Sequence, residues 1–200
     1  MLKSTKTAEK TSGIIGTALA WLPLDPNTIT LTSVFVAVLA FMAYAPSFEG
    51  QVMALMMFLV AFGLDAVDGA VARAKNMVSK EGAFLDGIAD RVVEFFLLLV
   101  LLQMFYLNQW MQIVVVSILF FGTCMTAFVK AYAEHRGMMK HEDAVKMPGI
   151  LERAERSILL LVAFVLLIFG YSQYGIYVLY AAAALSLITF AQRFFGAMYR

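Results

Sequence analysis

Long stretches without a charged residue dominate this sequence. Residues 26–48, 95–129 and 157–192 form uncharged runs of 23, 35 and 36 residues. A helix of about 20 apolar residues crosses the hydrocarbon core of a bilayer, which is about 30 Å thick. Each of the two longer runs contains a polar turn, at residues 107–109 and 170–173, so each predicts a helical hairpin rather than one span.

The amino-acid composition excludes an ordinary soluble domain. Hydrophobic residues make up 62% of the 200 positions and charged residues only 14%, whereas about 25% of residues are charged in a typical soluble domain. The formal net charge of +1 provides no basic field, so we expect no nucleic-acid partner. The single cysteine, Cys124, excludes an internal disulfide and a zinc site built from several thiolates.

These patterns predict an all-α, polytopic integral membrane protein with six transmembrane helices. An N-terminal amphipathic helix precedes them and lies on the membrane surface, with its lysines toward the lipid headgroups. We expect one membrane domain over residues 1–200, made of a juxtamembrane helix at 1–26 and a six-helix bundle at 27–200. The predicted spans are residues 27–46, 51–73, 82–106, 110–134, 150–170 and 174–196.

The positions of the basic residues predict the orientation of the chain. The turns at 47–50, 107–109 and 171–173 contain no lysine or arginine, so all 15 basic residues fall on the other side of the membrane. Basic residues are enriched on the cytoplasmic side of membrane proteins. We therefore expect a multi-pass protein of the plasma membrane, with both termini and the functional site facing the cytoplasm.

Four aspartates lie within the second and third predicted spans. Asp65 and Asp68 share one helix face because they are three residues apart, and Asp86 and Asp90 share another because they are four apart. The two helices are antiparallel, which brings the two pairs to similar depths. Carboxylates inside a membrane are costly and repel one another. Two divalent cations with oxygen ligands would neutralise all four and leave positions open for a phosphate.

Small residues continue the acid-bearing faces toward the cytoplasm. Gly69 and Ala72 lie four residues after Asp65 and Asp68, and Gly82 lies four residues before Asp86. Such residues permit close packing of helices. They equally provide a slot in which a flat base lies against the backbone, and the sequence leaves both interpretations open.

A second charged group lies at the cytoplasmic ends of the last three predicted spans. Each of its members alone is a typical membrane anchor, whereas together they suit an anion pocket, because arginine binds phosphate through two parallel hydrogen bonds. The members are Lys130, Arg153, Arg156 and Arg193.

The spacing Asp-x2-Asp-Gly-x2-Ala-Arg-x8-Gly-x3-Asp-x3-Asp resembles the signature of the CDP-alcohol phosphotransferase family. All fixed positions are matched, by Asp65, Asp68, Gly69, Ala72, Arg73, Gly82, Asp86 and Asp90. That family also has six membrane helices after a surface helix. The segment Pro26-Asn27-Thr28-Ile29-Thr30 resembles the start of the family's first span.

The resemblance implies a reaction in which an alcohol attacks the β-phosphate of a CDP-linked lipid and releases CMP. It implies two Mg²⁺ or Mn²⁺ ions on Asp65, Asp68, Asp86 and Asp90, with Asp90 also acting as the catalytic base. It further implies membrane lipids as surroundings and a homodimer as the assembly. The CDP-binding residues would be Asn27, Asp68, Gly69, Ala72, Arg73 and Gly82.

Three further segments resemble the inositol-phosphate-using branch of that family, the phosphatidylinositol-phosphate and archaetidylinositol-phosphate synthases. They are residues 130–134, 149–156 and 192–193. By this resemblance the acceptor is inositol 1-phosphate and its phosphate is held by Lys130, Arg153, Arg156 and Arg193. Two residues depart from the branch: Tyr132 stands where the branch often has arginine, and Ala197 lies one turn after Arg193, where a second arginine can occur.

Other functions remain open on the sequence alone. The same chemistry could use glycerol 3-phosphate, serine or another polar alcohol as acceptor, or CDP-inositol as donor. An ion or proton transporter would also place acids inside a membrane. It would need a path across the bilayer, yet Glu49 is the one ionisable residue predicted on the outer side.

Overall fold

The computed structural model describes residues 25–199, and all regular elements in that range are helical. The predicted surface helix at 1–26 lies outside the described residues except for its last two positions. The helices are α1 (Pro26–Ala43), α2 (Phe48–Ala74), α3 (Lys80–Met104), α4 (Gln109–Ser117), a π-helical segment (Ile118–Met125), α5 (Thr126–His135), α6 (His141–Lys146), α7 (Arg153–Ile168) and α8 (Ser172–Met198).

A helix lies at each of the six predicted spans. Among the described residues, four helical stretches are long and apolar enough to cross a membrane: α1, α2, the continuous stretch Gln109–His135 and α8. The α7 helix begins at Arg153 and has 16 residues, so it starts three residues after the predicted position 150. The reason is that Glu152 has an extended backbone and its N–H donates to Oε2 of Glu155, a capping arrangement that begins the helix at Arg153.

Polar side chains define where several helices begin. The side chain of Ser47 accepts a 3.2 Å hydrogen bond from the backbone N–H of Gly50 at the start of α2. Ser79 accepts a 2.9 Å bond from the N–H of Gly82 at the start of α3. Such bonds satisfy backbone donors that have no partner inside the helix. The cap at Ser79 fixes the start of the helix that carries Asp86 and Asp90.

The π-helical segment interrupts the fourth predicted span, which the sequence pattern did not predict. A Cβ atom added at Gly122 would lie 2.7 Å from Oγ of Ser186 and 3.0 Å from Cδ of Arg156. The wider turn therefore coincides with a point where side chains of α7 and α8 reach the backbone. Short π-helical stretches are frequent at functional sites.

The chain forms two compact units, Met1–Val100 and Leu101–Arg200, and the boundary falls within α3. In the first unit, α1 packs on α2 through fully buried small residues that include Ala37, Ala40 and Ala54. Small side chains let helix backbones approach closely, which is how helices associate when lipid surrounds them.

In the second unit, α7 and α8 pack on each other, and α8 also packs on the π-helical segment and α5. Leu160, Phe164 and Leu179 are fully buried there. The same unit also buries the polar or charged side chains of Thr126, Arg156 and Arg193. Packing of apolar helices does not require buried polar groups, so these side chains indicate a function.

Candidate metal centre and phosphate-binding residues

Three aspartates converge near the C-terminal end of α2 and the N-terminal end of α3. Each of Asp65, Asp68 and Asp86 contributes one carboxylate oxygen, and these three oxygens lie within 4.8 Å of one another. Asp68 is 4% exposed, and the other two are partly buried. The structure thus brings together three of the four aspartates that the sequence predicts for one metal site.

Local structure explains this convergence. Asp65 and Asp68 are one turn apart on α2, and a short turn then leads into α3. In that turn Asn76 adopts a positive φ of 54°, a conformation that asparagine tolerates better than most residues. This turn places the first part of α3 so that Asp86 reaches the pair on α2.

The donor set fits a hard divalent cation. Three carboxylates this close would repel one another strongly if all were ionised without a counter-ion. Asp68 does interact electrostatically with both Asp65 and Asp86. Carboxylate oxygens combined with open positions for phosphate are the usual environment of Mg²⁺ in proteins.

Asp90 lies one turn beyond Asp86 on α3 and is 9% exposed. It does not belong to the group of three whose ligand atoms lie within 4.8 Å of one another. Its burial next to that group distinguishes it from an ordinary surface acid, since aspartate is rarely buried without a role.

Thr30 is a site residue whose role the sequence pattern did not predict. Its hydroxyl lies 2.5 Å from Oδ2 of Asp68 and donates to it, and Thr30 itself is 4% exposed. A hydrogen bond of this kind fixes the orientation of a metal-binding carboxylate. Its position could have indicated such a role, because Thr30 lies three residues after the predicted CDP-binding residue Asn27 and therefore shares its face of α1.

The predicted CDP-binding residues come together in part. A Cβ atom added at Gly82 would lie 3.3 Å from Oδ1 of Asn27, so α1 and α3 approach each other at that glycine. A Cβ atom at Gly69 would lie 3.4 Å from Nη1 of Arg73, whose side chain folds back along α2. Ala72 is partly buried on the same helix.

The four predicted phosphate-binding cations all lie in the second unit. Arg156 and Arg193 are 4% and 9% exposed, and Lys130 and Arg153 are partly buried. Nη1 of Arg193 donates a 3.0 Å hydrogen bond to the backbone carbonyl of Thr126. Lys130, one turn further along α5, interacts electrostatically with Arg193. Buried cations on several helices suit an anion better than they suit membrane anchoring alone.

The residues that hold Arg193 in place were not predicted from the sequence. The guanidinium of Arg193 lies close to Gly149, at 3.1 Å from the position that a Cβ atom would take there. Gln192 and Thr189 of α8 bind the backbone of residues 150 and 151. These contacts join residues about 40 positions apart, so no local pattern indicates them.

Membrane helices with convergent aspartates and a separate group of buried cations define a membrane enzyme of phosphoryl transfer. Residues 24–188 match the CDP-alcohol phosphatidyltransferase family. The chain belongs to that family and is an enzyme of phospholipid biosynthesis, as its resemblance predicted.

Curated relatives support the same assignment. The archaetidylinositol phosphate synthase of Pyrococcus horikoshii is 33% identical over 186 residues, which cover 93% of this chain and 90% of the relative. The phosphatidylinositol phosphate synthase of Mycobacteroides abscessus is 31% identical over 199 residues, which cover 96% and 86%.

Solved structures share the fold. The Mycobacterium tuberculosis phosphatidylinositol phosphate synthase in complex with manganese and citrate has a TM-score of 0.77 at 22% identity, covering 94% of this chain and 88% of that one. The same enzyme with CDP-DAG bound has a TM-score of 0.76 at 21% identity, covering 94% of each chain.

Proposed function

We propose that this enzyme transfers the phosphatidyl or archaetidyl group of a CDP-linked lipid to a hydroxyl of inositol 1-phosphate and releases CMP. The observation that carries the proposal is the convergence of Asp65, Asp68 and Asp86 to within 4.8 Å. Membership in a family of transferases favours this function over the alternative of an ion or proton transporter.

Asp65, Asp68 and Asp86 would hold the divalent cations, with Asp90 completing the site. We propose two ions, Mg²⁺ or Mn²⁺, and the M. tuberculosis enzyme of the same fold was crystallised with manganese. When bound, such ions neutralise the pyrophosphate of the CDP group and polarise its phosphoryl oxygens. The hydroxyl of Thr30 keeps the carboxylate of Asp68 turned toward the site.

The CDP group would lie against the small residues of α2 and α3. Gly82 and Asn27 approach each other closely enough that a side chain at residue 82 would contact Asn27. We propose that this opening admits the cytosine ring, with Gly69 and Ala72 along α2. Arg73, which folds back over Gly69, and Asn27 would bind the CDP group by hydrogen bonds, and Asp68 would line the same site.

Asp90 would act as the general base. Its carboxylate would take the proton of the acceptor hydroxyl as the oxygen of that hydroxyl forms a bond with the β-phosphorus. The bond between that phosphorus and the oxygen of CMP breaks at the same time, and CMP leaves. Phosphoryl transfer depends mainly on positioning and on charge neutralisation. One base beside a group of cation-binding carboxylates is therefore enough to catalyse the reaction.

The phosphate of the acceptor would be bound by Lys130, Arg153, Arg156 and Arg193. Two buried arginines and a lysine that interacts with one of them provide the charge for a dianion. The names of the P. horikoshii and M. abscessus relatives point to inositol phosphate as the acceptor. A serine acceptor would require no such group of cations.

We further propose the arrangement in the membrane. All six predicted spans would cross the plasma membrane, with residues 1–26 on its inner surface and the active site facing the cytoplasm. Residues 1–200 would act as one functional domain, and two copies would form a homodimer, as the family resemblance implies. The four long apolar helices support the multi-pass part of this arrangement.

An acceptor screen tests the proposed function. The purified enzyme would be supplied with a CDP-linked lipid in both ester and ether forms, Mn²⁺, and one acceptor at a time, with CMP release as the readout. We expect inositol 1-phosphate to give the highest turnover, above glycerol 3-phosphate and serine. Turnover with only one of the other acceptors, or with CDP-inositol as the donor, would contradict the proposed substrates.

A matched control shows that CMP comes from the proposed site. Asp65→Asn should abolish CMP release with every acceptor, whereas Glu49→Gln, in the first turn of the same helix, should leave it unchanged. Release of CMP by the Asp65→Asn variant would indicate a different reaction centre.

A further inference from the structure

We propose that Gly149, Thr189 and Gln192 are positioning residues that fasten the loop before α7 onto α8 and thereby fix the guanidinium of Arg193 for the acceptor phosphate. The inference rests on the proposed function, because it concerns the geometry of the proposed phosphate-binding residues. It adds three residues to which the sequence resemblance assigns no role.

Two hydrogen bonds attach the loop to α8. The backbone N–H of Ile150 donates to Oε1 of Gln192 at 3.2 Å, and the N–H of Leu151 donates to Oγ1 of Thr189 at 2.9 Å. Gln192 and Thr189 are three residues apart and share one face of α8. Two successive residues of the loop are therefore held by one helix face.

The hydroxyl of Thr189 makes two hydrogen bonds. It accepts from the N–H of Leu151 and donates to the carbonyl of Leu185 at 2.8 Å. Its hydrogen therefore points along α8, and one of its two lone pairs points at the loop. Thr189 is 0% exposed, so water cannot replace the loop as a partner, and breaking this contact leaves a buried polar group unsatisfied.

Gly149 brings the loop backbone against Arg193. A Cβ atom at residue 149 would lie 3.1 Å from Nη2 and 3.4 Å from Nε of Arg193, and only 2.6 Å from Cγ2 of Thr189. Real Cβ atoms essentially never approach as closely as this last distance, so any larger residue must displace the loop or the side chains of α8.

Arg193 is thus held from two directions. On one side it lies against the backbone of Gly149, and on the other its Nη1 donates to the carbonyl of Thr126 at 3.0 Å. A free arginine side chain samples many rotamers, and fixing it on binding has an entropic cost. A guanidinium held in advance binds a phosphate without that cost.

The same loop sets the start of α7. The backbone N–H of Glu152 donates to Oε2 of Glu155 at 3.0 Å, and Arg153 is the first residue of the helix. Movement of residues 149–151 would therefore displace Arg153 as well as Arg193. Both are proposed to bind the acceptor phosphate and neither to bind CDP, so the loop should affect one substrate selectively.

Steady-state kinetics of Gly149→Ala test the inference. We expect KM for inositol 1-phosphate to rise about 10- to 100-fold, since small displacements of positioning groups have effects of this size. We expect KM for the CDP-linked lipid to stay within about twofold, because no CDP-binding residue moves. Gly196→Ala is the matched control, because among the described residues nothing lies within 4 Å of a Cβ atom at that position of α8.

A second substitution distinguishes positioning from loss of folding. Thr189→Ser keeps the hydroxyl but removes Cγ2, the atom that a Cβ at residue 149 would approach most closely. The double variant Gly149→Ala/Thr189→Ser should therefore have a lower KM for inositol 1-phosphate than Gly149→Ala alone. If Gly149→Ala does not fold, Thr189→Val replaces it, because that change removes the acceptor of the Leu151 N–H and should give the same selective rise.

The outcomes separate this inference from the proposed function. If the wild-type enzyme uses inositol 1-phosphate but both KM values change equally, or neither changes, the positioning role is wrong and the function stands. If the wild type uses only glycerol 3-phosphate, the proposed acceptor is wrong, and a selective rise of KM for glycerol 3-phosphate in Gly149→Ala still supports the positioning role. Turnover with only serine overturns both, because serine carries no phosphate for Arg193 to bind.

Discussion

The hydroxyl of Thr30 donates a hydrogen bond to Oδ2 of Asp68 at 2.5 Å, although 38 residues separate the two in the chain. Both side chains are 4% exposed, so water does not compete for the bond. This contact connects α1 to the proposed metal centre. It gives Thr30, on the first predicted span, the role of orienting a carboxylate, which the pattern of acidic residues does not indicate.

Removal of that hydroxyl should weaken cation binding. We expect Thr30→Val to raise the Kd for Mn²⁺ about 10-fold or more, because groups that orient metal ligands have effects of this order. Electron paramagnetic resonance of free Mn²⁺ during a titration of the purified enzyme measures this directly. Thr32→Val is the matched control, because Thr32 is an exposed residue whose hydroxyl binds the carbonyl of Thr28 on its own helix. Equal Mn²⁺ affinities for both variants would show that Thr30 does not orient Asp68.

Loss of the proposed base should stop turnover without removing substrate binding. We expect Asp90→Asn to lower kcat by about 10²-fold or more, as general bases contribute factors of 10²–10⁴, while binding of CDP in the presence of Mn²⁺ remains measurable. CMP release and isothermal titration with CDP provide the two measurements. Glu81→Gln, in the first turn of the same helix, should behave like the wild type. A nearly normal kcat for Asp90→Asn would exclude Asp90 as the base.

Binding of the phosphorylated acceptor should depend on Arg153 more than binding of the CDP-linked lipid does. We expect Arg153→Ala to raise KM for inositol 1-phosphate about 10-fold or more, since a hydrogen bond to a charged group contributes about 1.5–3 kcal/mol. KM for the CDP-linked lipid, measured in the same assay of CMP release, should change little. Arg136→Ala removes an exposed cation just after α5 and serves as the control. A similar rise in both KM values would contradict a separate phosphate-binding group.

The proposed cytosine slot should not tolerate a side chain at residue 82. A Cβ atom there would lie 3.1 Å from Oγ of Ser79 and 3.3 Å from Oδ1 of Asn27. We therefore expect Gly82→Ala to raise KM for the CDP-linked lipid several-fold while KM for the acceptor stays unchanged, as measured by CMP release. Gly63→Ala on α2 is the control, because nothing among the described residues lies within 4 Å of a Cβ atom there. An unchanged KM for the CDP-linked lipid would place the cytosine ring elsewhere.

Much of the fold and part of the site follow from local sequence. Helices lie at all six predicted spans because uncharged runs and polar turns are short-range signals. The spacing of Asp65, Asp68 and Asp86 likewise predicts a common site, since helical periodicity decides which residues share a face. Thr30 could not be paired with Asp68 in this way, because the packing of α1 on α2 creates their contact.

Two other features were not indicated by the uncharged runs. The α7 helix starts three residues after the predicted position because Glu152 is extended and its N–H donates to the side chain of Glu155, which begins the helix at Arg153. The π-helical segment at Ile118–Met125 has no signal in composition, and it coincides with the close approach of Arg156 and Ser186 to Gly122.

Anomalous diffraction from crystals soaked in Mn²⁺ tests most directly whether the aspartates of α2 and α3 form a metal centre. We predict two anomalous peaks within coordination distance of the carboxylate oxygens, with Asp65, Asp68 and Asp86 as ligands and Asp90 completing the site. Ordered carboxylates in the same crystals without any anomalous peak between them would contradict the account.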